Sequence, residues 1–229
     1  MDRKDNSVFS QNLNVIFAAL KNMKGIKNII FDLGGVILNI DYTLTQKAFE
    51  ELGITQEDSF YSKKDQDELF DKLETGKIGE EEFVSAIQKR LPNPVDSKQI
   101  LDAWNAIILD FPLRRLQILQ QLQLHYNTFL LSNTNEIHEK TFNKLLQTTC
   151  GYPTMAVFFD RIYLSHRVGL RKPDPAIFQL ILTENNLKPG ETLFIDDSIQ
   201  HIETAVKLGI QTIHMKDGMT MEDDIFKAK

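Results

Sequence analysis

Hydrophobic positions along this chain follow two different periods. Short apolar runs bounded by turn-forming or charged residues mark buried strands, and apolar positions recurring every three or four residues mark amphipathic helices. On that basis strands are predicted at Asn28–Asp32, Asn127–Ser132, Arg161–Ser165, Thr192–Asp196 and Gln211–Met215. Between the later strands lie helical patterns at Leu113–Leu124, Glu136–Gln147, Pro175–Asn185 and Ile199–Leu208. Alternation of this kind implies a parallel sheet with helices on both faces.

The alternation is interrupted directly after the first strand. From Thr43 to Trp104 the chain is rich in Glu, Lys and Gln and shows helical patterns without a convincing strand. Asp67–Leu73 and Glu80–Leu91 are amphipathic and joined by the turn Thr75-Gly76-Lys77-Ile78-Gly79. The acidic run Glu80-Glu81-Glu82 suits a helix N-terminus. Asn93 and Pro94 break the pattern, Ile100–Ile108 resumes it, and Pro112 marks the next boundary. The expected fold class is therefore α/β: a Rossmann-like parallel sheet with an inserted α-helical cap. The core is assigned to 24–40 and 113–229 and the cap to 41–112. Residues 1–23 are an N-terminal helical extension, in which Phe9, Leu13, Ile16, Phe17 and Leu20 fall near helical spacing. Docking on the core and an upstream addition with little structural role are both open readings of it.

Composition narrows the partners. With 42% hydrophobic and 25% charged residues the chain is an ordinary globular one. No run approaches the roughly 18 apolar residues of a membrane span, and no secretory signal is expected. The single cysteine, Cys150, precludes an internal disulfide and fits a reducing cytoplasm. A formal charge of −6 argues against nucleic acid as a partner. It does not argue against a phosphorylated small molecule, because local charge and a bound cation govern such a site.

Candidate chemistry stands at strand ends. Asp32 ends the first strand, Ser132-Asn133 the second, and Asp196-Asp197 a later one. Lys172 lies in Gly169-Leu170-Arg171-Lys172-Pro173-Asp174-Pro175, just ahead of a helix. In a parallel sheet the carboxyl ends lie along one edge, so distant residues can meet there. Taken singly, each cluster is a turn or a helix cap. Taken together, Asp32, Asp196 and Asp197 concentrate negative charge that must be neutralised by a proton or a cation. Mg²⁺ suits oxygen ligands and combines one or two carboxylates with phosphate and water.

In this order, Ile29-Ile30-Phe31-Asp32-Leu33-Gly34-Gly35-Val36, Ser132-Asn133, Lys172-Pro173 and Asp196-Asp197 resemble the four motifs of the haloacid dehalogenase superfamily. The resemblance covers about 24–229. It implies that Asp32 attacks phosphorus, forming an aspartyl-phosphate. It further implies that Ser132 and the Asn133 backbone bind the phosphoryl group and that Lys172 neutralises it. By the same resemblance Mg²⁺ is held by Asp32, Asp196, Asp197 and the Gly34 carbonyl, and the partner is a small phosphorylated metabolite. The chain is also similar to a bacterial subgroup of sugar-phosphate phosphatases, the α-D-glucose-1-phosphate phosphatase type included, whose members read Phe-Asp-Leu-Gly at the first motif.

One position departs from the usual pattern. Most phosphatases of the superfamily carry an acid two residues after the nucleophile, and here that position is Gly34. Three readings follow: a phosphatase in which another group carries the proton, a metal-free dehalogenase attacking carbon, or a phosphate-binding module without turnover. The adjacent acids Asp196-Asp197 speak against the second, and the intact Asp32, Ser132 and Lys172 against the third. His201 stands where Asn or Asp is common and is expected to hydrogen-bond Asp197 or to cap its helix. His166 and Arg167 could approach the substrate or lie in a solvated loop, and the direction of Arg171 is open. Tyr42, the Thr75–Gly79 turn, Trp104 and Asn105 are candidates for facing the cleft, with core packing the favoured role for Trp104.

Overall fold

The computed structural model describes residues 25–54 and 68–226. The amphipathic stretch expected within 1–23 lies outside the described residues. The first strand, β1 (Asn28–Phe31), is buried along its whole length, as its unbroken apolar run requires of a strand covered on both faces. It pairs in parallel with β2 (Asn127–Ser132) on one side. The sheet also holds β3 (Arg161–Leu164), β4 (Thr192–Asp196) and β5 (Gln211–His214), all parallel, in the order β3-β2-β1-β4-β5. Each predicted strand is present, three of them one residue shorter at the carboxyl end.

The helices are, in chain order, α1 (Tyr42–Glu51), α2 (Glu68–Glu74), α3 (Glu80–Gln88), α4 (Ser97–Asn105) and α5 (Leu113–Gln123). After β2 come α6 (Glu136–Cys150), the single turn α7 (Ser165–Val168), α8 (Pro175–Glu184) and α9 (Ile199–Lys207). Alternate residues of the strands serve opposite faces. Ile29, Phe31, Leu130 and Ile195 pack with Leu116 and Leu119 of α5 and Phe142 of α6. Ile30, Phe129 and Phe194 pack with Ile177 and Phe178 of α8 and Ile202 of α9. A short π-helical turn, Met221–Ile225, was not legible in the sequence. Its acidic middle hides its purpose, which is to seat Met221 and Phe226, both fully buried, on the first of these faces.

Helices α1–α4 have a hydrophobic cluster of their own. Trp104 is its centre, fully buried and stacked on Phe70 at a centroid distance of 5.0 Å. Phe83 lies 5.1 Å from the same indole. The chain enters and leaves this helical layer along two paired segments. Asn39 N donates to Asp110 O, Asp41 N to Ile107 O and Leu109 N to Asn39 O, at 2.9, 2.9 and 3.0 Å. Arg115, almost fully buried, anchors the pair: Nη1 donates to Asn39 Oδ1 at 2.9 Å and Nε to Glu222 Oε2 at 2.7 Å.

A second joint connects the cap to α6. Ile137 belongs to the cap cluster, and His138 stacks on Trp104 at 4.6 Å. The network fixes the tautomer of His138. Asn135 Oδ1 accepts from His138 N and Trp104 Nε1, at 3.0 and 3.4 Å, so its Nδ2 donates to His138 Nδ1 at 3.2 Å. Nε2–H of His138 then donates to the Trp104 carbonyl at 3.1 Å.

Burial holds this neutral imidazole at a pKa of about 4, against an ordinary 6.5. The unfolded chain therefore takes up a proton between those values while the folded chain does not, and stability falls as pH drops through the window. The loss should reach about 3 kcal/mol near pH 4 from this group. His138→Gln should remove that slope, read as urea midpoints measured just above pH 6.5 and just above pH 4; an unchanged slope would show that His138 is not its source.

Candidate functional site

The register places the functional side chains at one level. Phe31 is opposite both Leu130 and Ile195, so the ends of β1, β2 and β4 reach the same sheet edge. Asp32 follows β1 and its backbone N–H still donates to Ile195 O at 2.9 Å. The chain then turns back on itself: Leu38 N donates to Leu33 O and Gly35 N to Leu38 O, each at 2.9 Å. Gly35 has φ +72°, and a Cβ there would stand 2.7 Å from Asp197 Oδ2. Only glycine lets this turn lie against the Asp197 carboxylate.

Lys172 is fully buried, and its ammonium is shared among three oxygens. It donates to Asp32 Oδ1 at 2.6 Å, Asp196 Oδ2 at 2.7 Å and the Leu131 carbonyl at 2.9 Å. The loop that presents it is pinned by a reciprocal pair with Asn133. Asn133 Nδ2 donates to Lys172 O, and Lys172 N donates to Asn133 Oδ1, both at 2.8 Å. Asp174 then caps α8 by accepting from Ala176 N at 2.8 Å, with Pro175 in the first turn.

Asp32, Asp196 and Asp197 each offer a carboxylate oxygen, and these atoms all lie within 4.8 Å of one another. The two aspartates that grip Lys172 are driven apart in acidity. Burial, with Asp196 and Asp197 nearby, pushes Asp32 up to about 7 against the pull of Lys172. Burial opposes ionisation of Asp196 too, but Lys172 and His201 outweigh it and hold that carboxyl well below the usual range. Asp196 is fully buried and uses both oxygens: Oδ1 accepts from Ser198 N at 2.7 Å and His201 Nδ1 at 2.9 Å, and Oδ2 from Lys172. His201 thus bonds Asp196 rather than Asp197, the partner expected from the sequence.

These groups form the floor of a cavity of about 390 Å³. Asp32, Gly34, Ser132, Asn133, Lys172 and Asp197 line it. Asp196 does not; it stands behind Lys172. The cap closes the other side with Tyr42, Asp71 and Glu74. Arg171 spans the two halves, pairing with Asp71 and, at 3.2 Å from Nη2, with Glu74 Oε2. Burial together with Asp197, Asp32, Glu74 and Asp196 raises the Tyr42 phenol above its ordinary value, so it stays protonated.

Of the other candidates for the cleft, Trp104 is cap core, as favoured, and Asn105 turns back to the Leu101 carbonyl at 2.8 Å. The Gly76–Gly79 part of the turn lies over a separate cavity with His166 and Arg167. Those two side chains hold Glu139 there, at 3.1 Å from His166 Nε2 and 3.0 Å from Arg167 Nε. Asp71, Glu74 and His138 were missed as cavity residues. For Glu74 the signal was available in an acid directly ahead of the Thr75–Gly79 turn.

The comparisons with known proteins agree with this geometry. A family model described as haloacid dehalogenase-like hydrolase matches residues 26–209. The chain belongs to the haloacid dehalogenase-like hydrolases. A D-ribitol-5-phosphate phosphatase of Bacteroides thetaiotaomicron is 32% identical over 200 residues, covering 87% of this chain and 97% of that protein. A haloacid dehalogenase family enzyme of the same organism, solved with magnesium and inorganic phosphate, superimposes with a TM-score of 0.76 at 34% identity, covering 85% of this chain and 96% of that one. A hydrolase of this family from Porphyromonas gingivalis gives 0.76 at 30% identity, over 85% and 93% of the two chains. A dehalogenase matches at a TM-score of 0.54 and 18% identity, which is likeness of fold alone.

The buried ion triad sets a stability expectation. Lys172→Met would leave Asp32 and Asp196 facing each other without their ammonium, and should destabilise the metal-free protein by about 3–5 kcal/mol. Denaturant unfolding checks it, and a loss below about 1 kcal/mol would show that the triad behaves as an exposed pair.

Proposed function

We propose that the protein is a Mg²⁺-dependent phosphatase acting on a small sugar or polyol phosphate through an aspartyl-phosphate on Asp32. The observation that carries this reading is a nucleophilic carboxylate held by a buried lysine beside two further carboxylates, on the floor of a closed polar cavity. The phosphatase names and the magnesium and phosphate of its relatives support it.

Lys172 orients Asp32 by holding one of its oxygens, leaving the other to attack phosphorus. Ser132 and the Asn133 backbone, at the cavity end of β2, bind phosphoryl oxygens. The donor set fits a hard cation: three carboxylates within 4.8 Å and a turn that only glycine lets come close to one of them. Asp32, Asp197 and the Gly34 carbonyl would hold Mg²⁺, with Asp196 engaged behind them. When bound, the ion offsets the charge of carboxylates and phosphate together. Lys172 also balances charge on the transferring group. The cap excludes water from the reacting atoms.

Attack on carbon without a metal is the weaker reading, because three adjacent carboxylates repel an anionic substrate unless a cation joins them. A non-catalytic binding module is weaker too, since ligand binding alone has no use for a nucleophile buried and oriented at 2.6 Å from a lysine. We take the partner to be a phosphorylated metabolite and not nucleic acid, on the net charge of −6. A cytoplasmic location is inferred from the lone cysteine; among the described residues no helix is long and apolar enough to cross a membrane.

Phosphate release from alditol phosphates and hexose phosphates should require Mg²⁺ and cease with a chelator. Asp32→Asn should lose at least about 10⁴ in turnover, as expected when a nucleophile that acts with its partners as a unit is removed. Full turnover in that variant would overturn the covalent mechanism, and no release from any of these compounds by the wild type would overturn the phosphatase.

A further inference from the structure

Resting on the phosphatase reading, the reaction still lacks a proton carrier. The leaving oxygen must gain a proton, and the water that cleaves the aspartyl-phosphate must lose one. The position two residues after Asp32 offers no side chain for this. It is also closed: a Cβ on Gly34 would lie 2.9 Å from Ile40 Cδ1. The carrier must come from another part of the cavity wall.

Most of the wall is already committed. Lys172 is locked to Asp32, Asp196 and the Leu131 carbonyl. His201 is bound to Asp196. Both nitrogens of His138 are used within the cap joint. Asp174 caps α8. Tyr42 can donate a hydrogen bond, but a phenol whose ionisation is suppressed by surrounding carboxylates cannot accept a proton from water. Two carboxyls remain, Asp71 and Glu74, on the last turn and a half of α2. Asp71 has 49% of its side chain exposed and Glu74 only 7%. The Tyr42 phenol feels Asp197, Asp32 and Glu74 together, which sets Glu74 in the neighbourhood of the nucleophile across the cavity. Arg171, next in sequence to Lys172, holds Glu74 there at 3.2 Å.

We propose that Glu74, carried by the cap, is the catalytic residue that transfers the proton in both halves of the reaction. In the first half, an Asp32 oxygen bonds to phosphorus while the bond from phosphorus to the leaving oxygen breaks. The Glu74 carboxyl proton passes to that oxygen and the alcohol departs. In the second half, the Glu74 carboxylate takes a proton from water, whose oxygen attacks phosphorus. The bond to Asp32 breaks, phosphate leaves, and Glu74 is again a carboxylic acid. Because the carrier sits on the cap and its tether on the core, chemistry proceeds only with the two closed together.

The test compares wild type, Glu74→Gln and Asp71→Asn on p-nitrophenyl phosphate and on D-ribitol 5-phosphate. Glu74→Gln keeps the shape and a polar group facing Arg171 but cannot carry a proton. With p-nitrophenyl phosphate, whose leaving group needs no protonation, Glu74→Gln should release a burst of nitrophenolate stoichiometric with enzyme. Steady turnover should then be slower than wild type by about 10² to 10⁴. With the alditol phosphate it should show no burst, because both halves are slowed. Asp71→Asn loosens the same arginine and should give no burst on either compound. Wild-type-like turnover of Glu74→Gln, or an equal burst from Asp71→Asn, would overturn the assignment while leaving the phosphatase standing. An inactive wild type would overturn both. If Glu74→Gln does not fold, Glu74→Asp decides: it keeps the carboxyl one methylene short, and its turnover should fall without a matching rise in KM, whereas unchanged turnover would overturn the assignment.

Discussion

Everything at the sheet edge depends on one buried ammonium. Lys172 meets Asp32 after β1, Asp196 at the end of β4 and the Leu131 carbonyl within β2, so a single charge joins three neighbouring strands. Burying it costs several kcal/mol, and the cost is offset only when geometry is tight and the remaining hydrogen-bonding capacity is filled. Here all three partners lie between 2.6 and 2.9 Å, and the Asn133 pair on its backbone fixes the loop. The same contact that tethers the loop before α8 also aims the nucleophile. Stability and chemistry therefore share one interaction.

The cap adds a second constraint from a different source. Its cluster around Trp104 is aromatic and needs no help from the sheet to bury most of its apolar surface. What fixes it over the site is polar: the paired segments at Asn39–Asp41 and Ile107–Asp110, the His138 joint, and Arg171 on Asp71 and Glu74. Hydrophobic contact is non-directional, whereas hydrogen bonds specify orientation. A packed cap on polar joints can keep its internal structure while its distance from the core changes, and that is what admission of a substrate to a closed cavity requires.

Much of this was legible in the sequence because the strands are short, apolar and buried on both faces. Asn127–Ser132 and Thr192–Asp196 could be bounded to the residue, since a charged or turn-forming position ends each run. The nucleophile, the phosphate-binding serine and the lysine could be nominated because parallel topology sends their strand ends to one edge. Side-chain pairing was not legible. His201 chose Asp196 over Asp197 because the buried acid two residues before its helix lies one turn away, while Asp197 faces the cavity. Asp71 and Glu74 read as polar positions of an amphipathic helix, and only the fold of the cap over Arg171 gives them a site. The turn at Met221–Ile225 was hidden because its three acids mask two buried apolar residues.

The central claim is that the phosphoryl group passes through a covalent bond to Asp32. Acid-quenching the wild-type enzyme during turnover of a labelled sugar phosphate, then mapping the label by peptide, tests it directly. Label on the peptide containing Asp32, removed by treatment that cleaves acyl phosphates, is the expected result. Steady turnover with label on no residue, or on a residue other than Asp32, would contradict it.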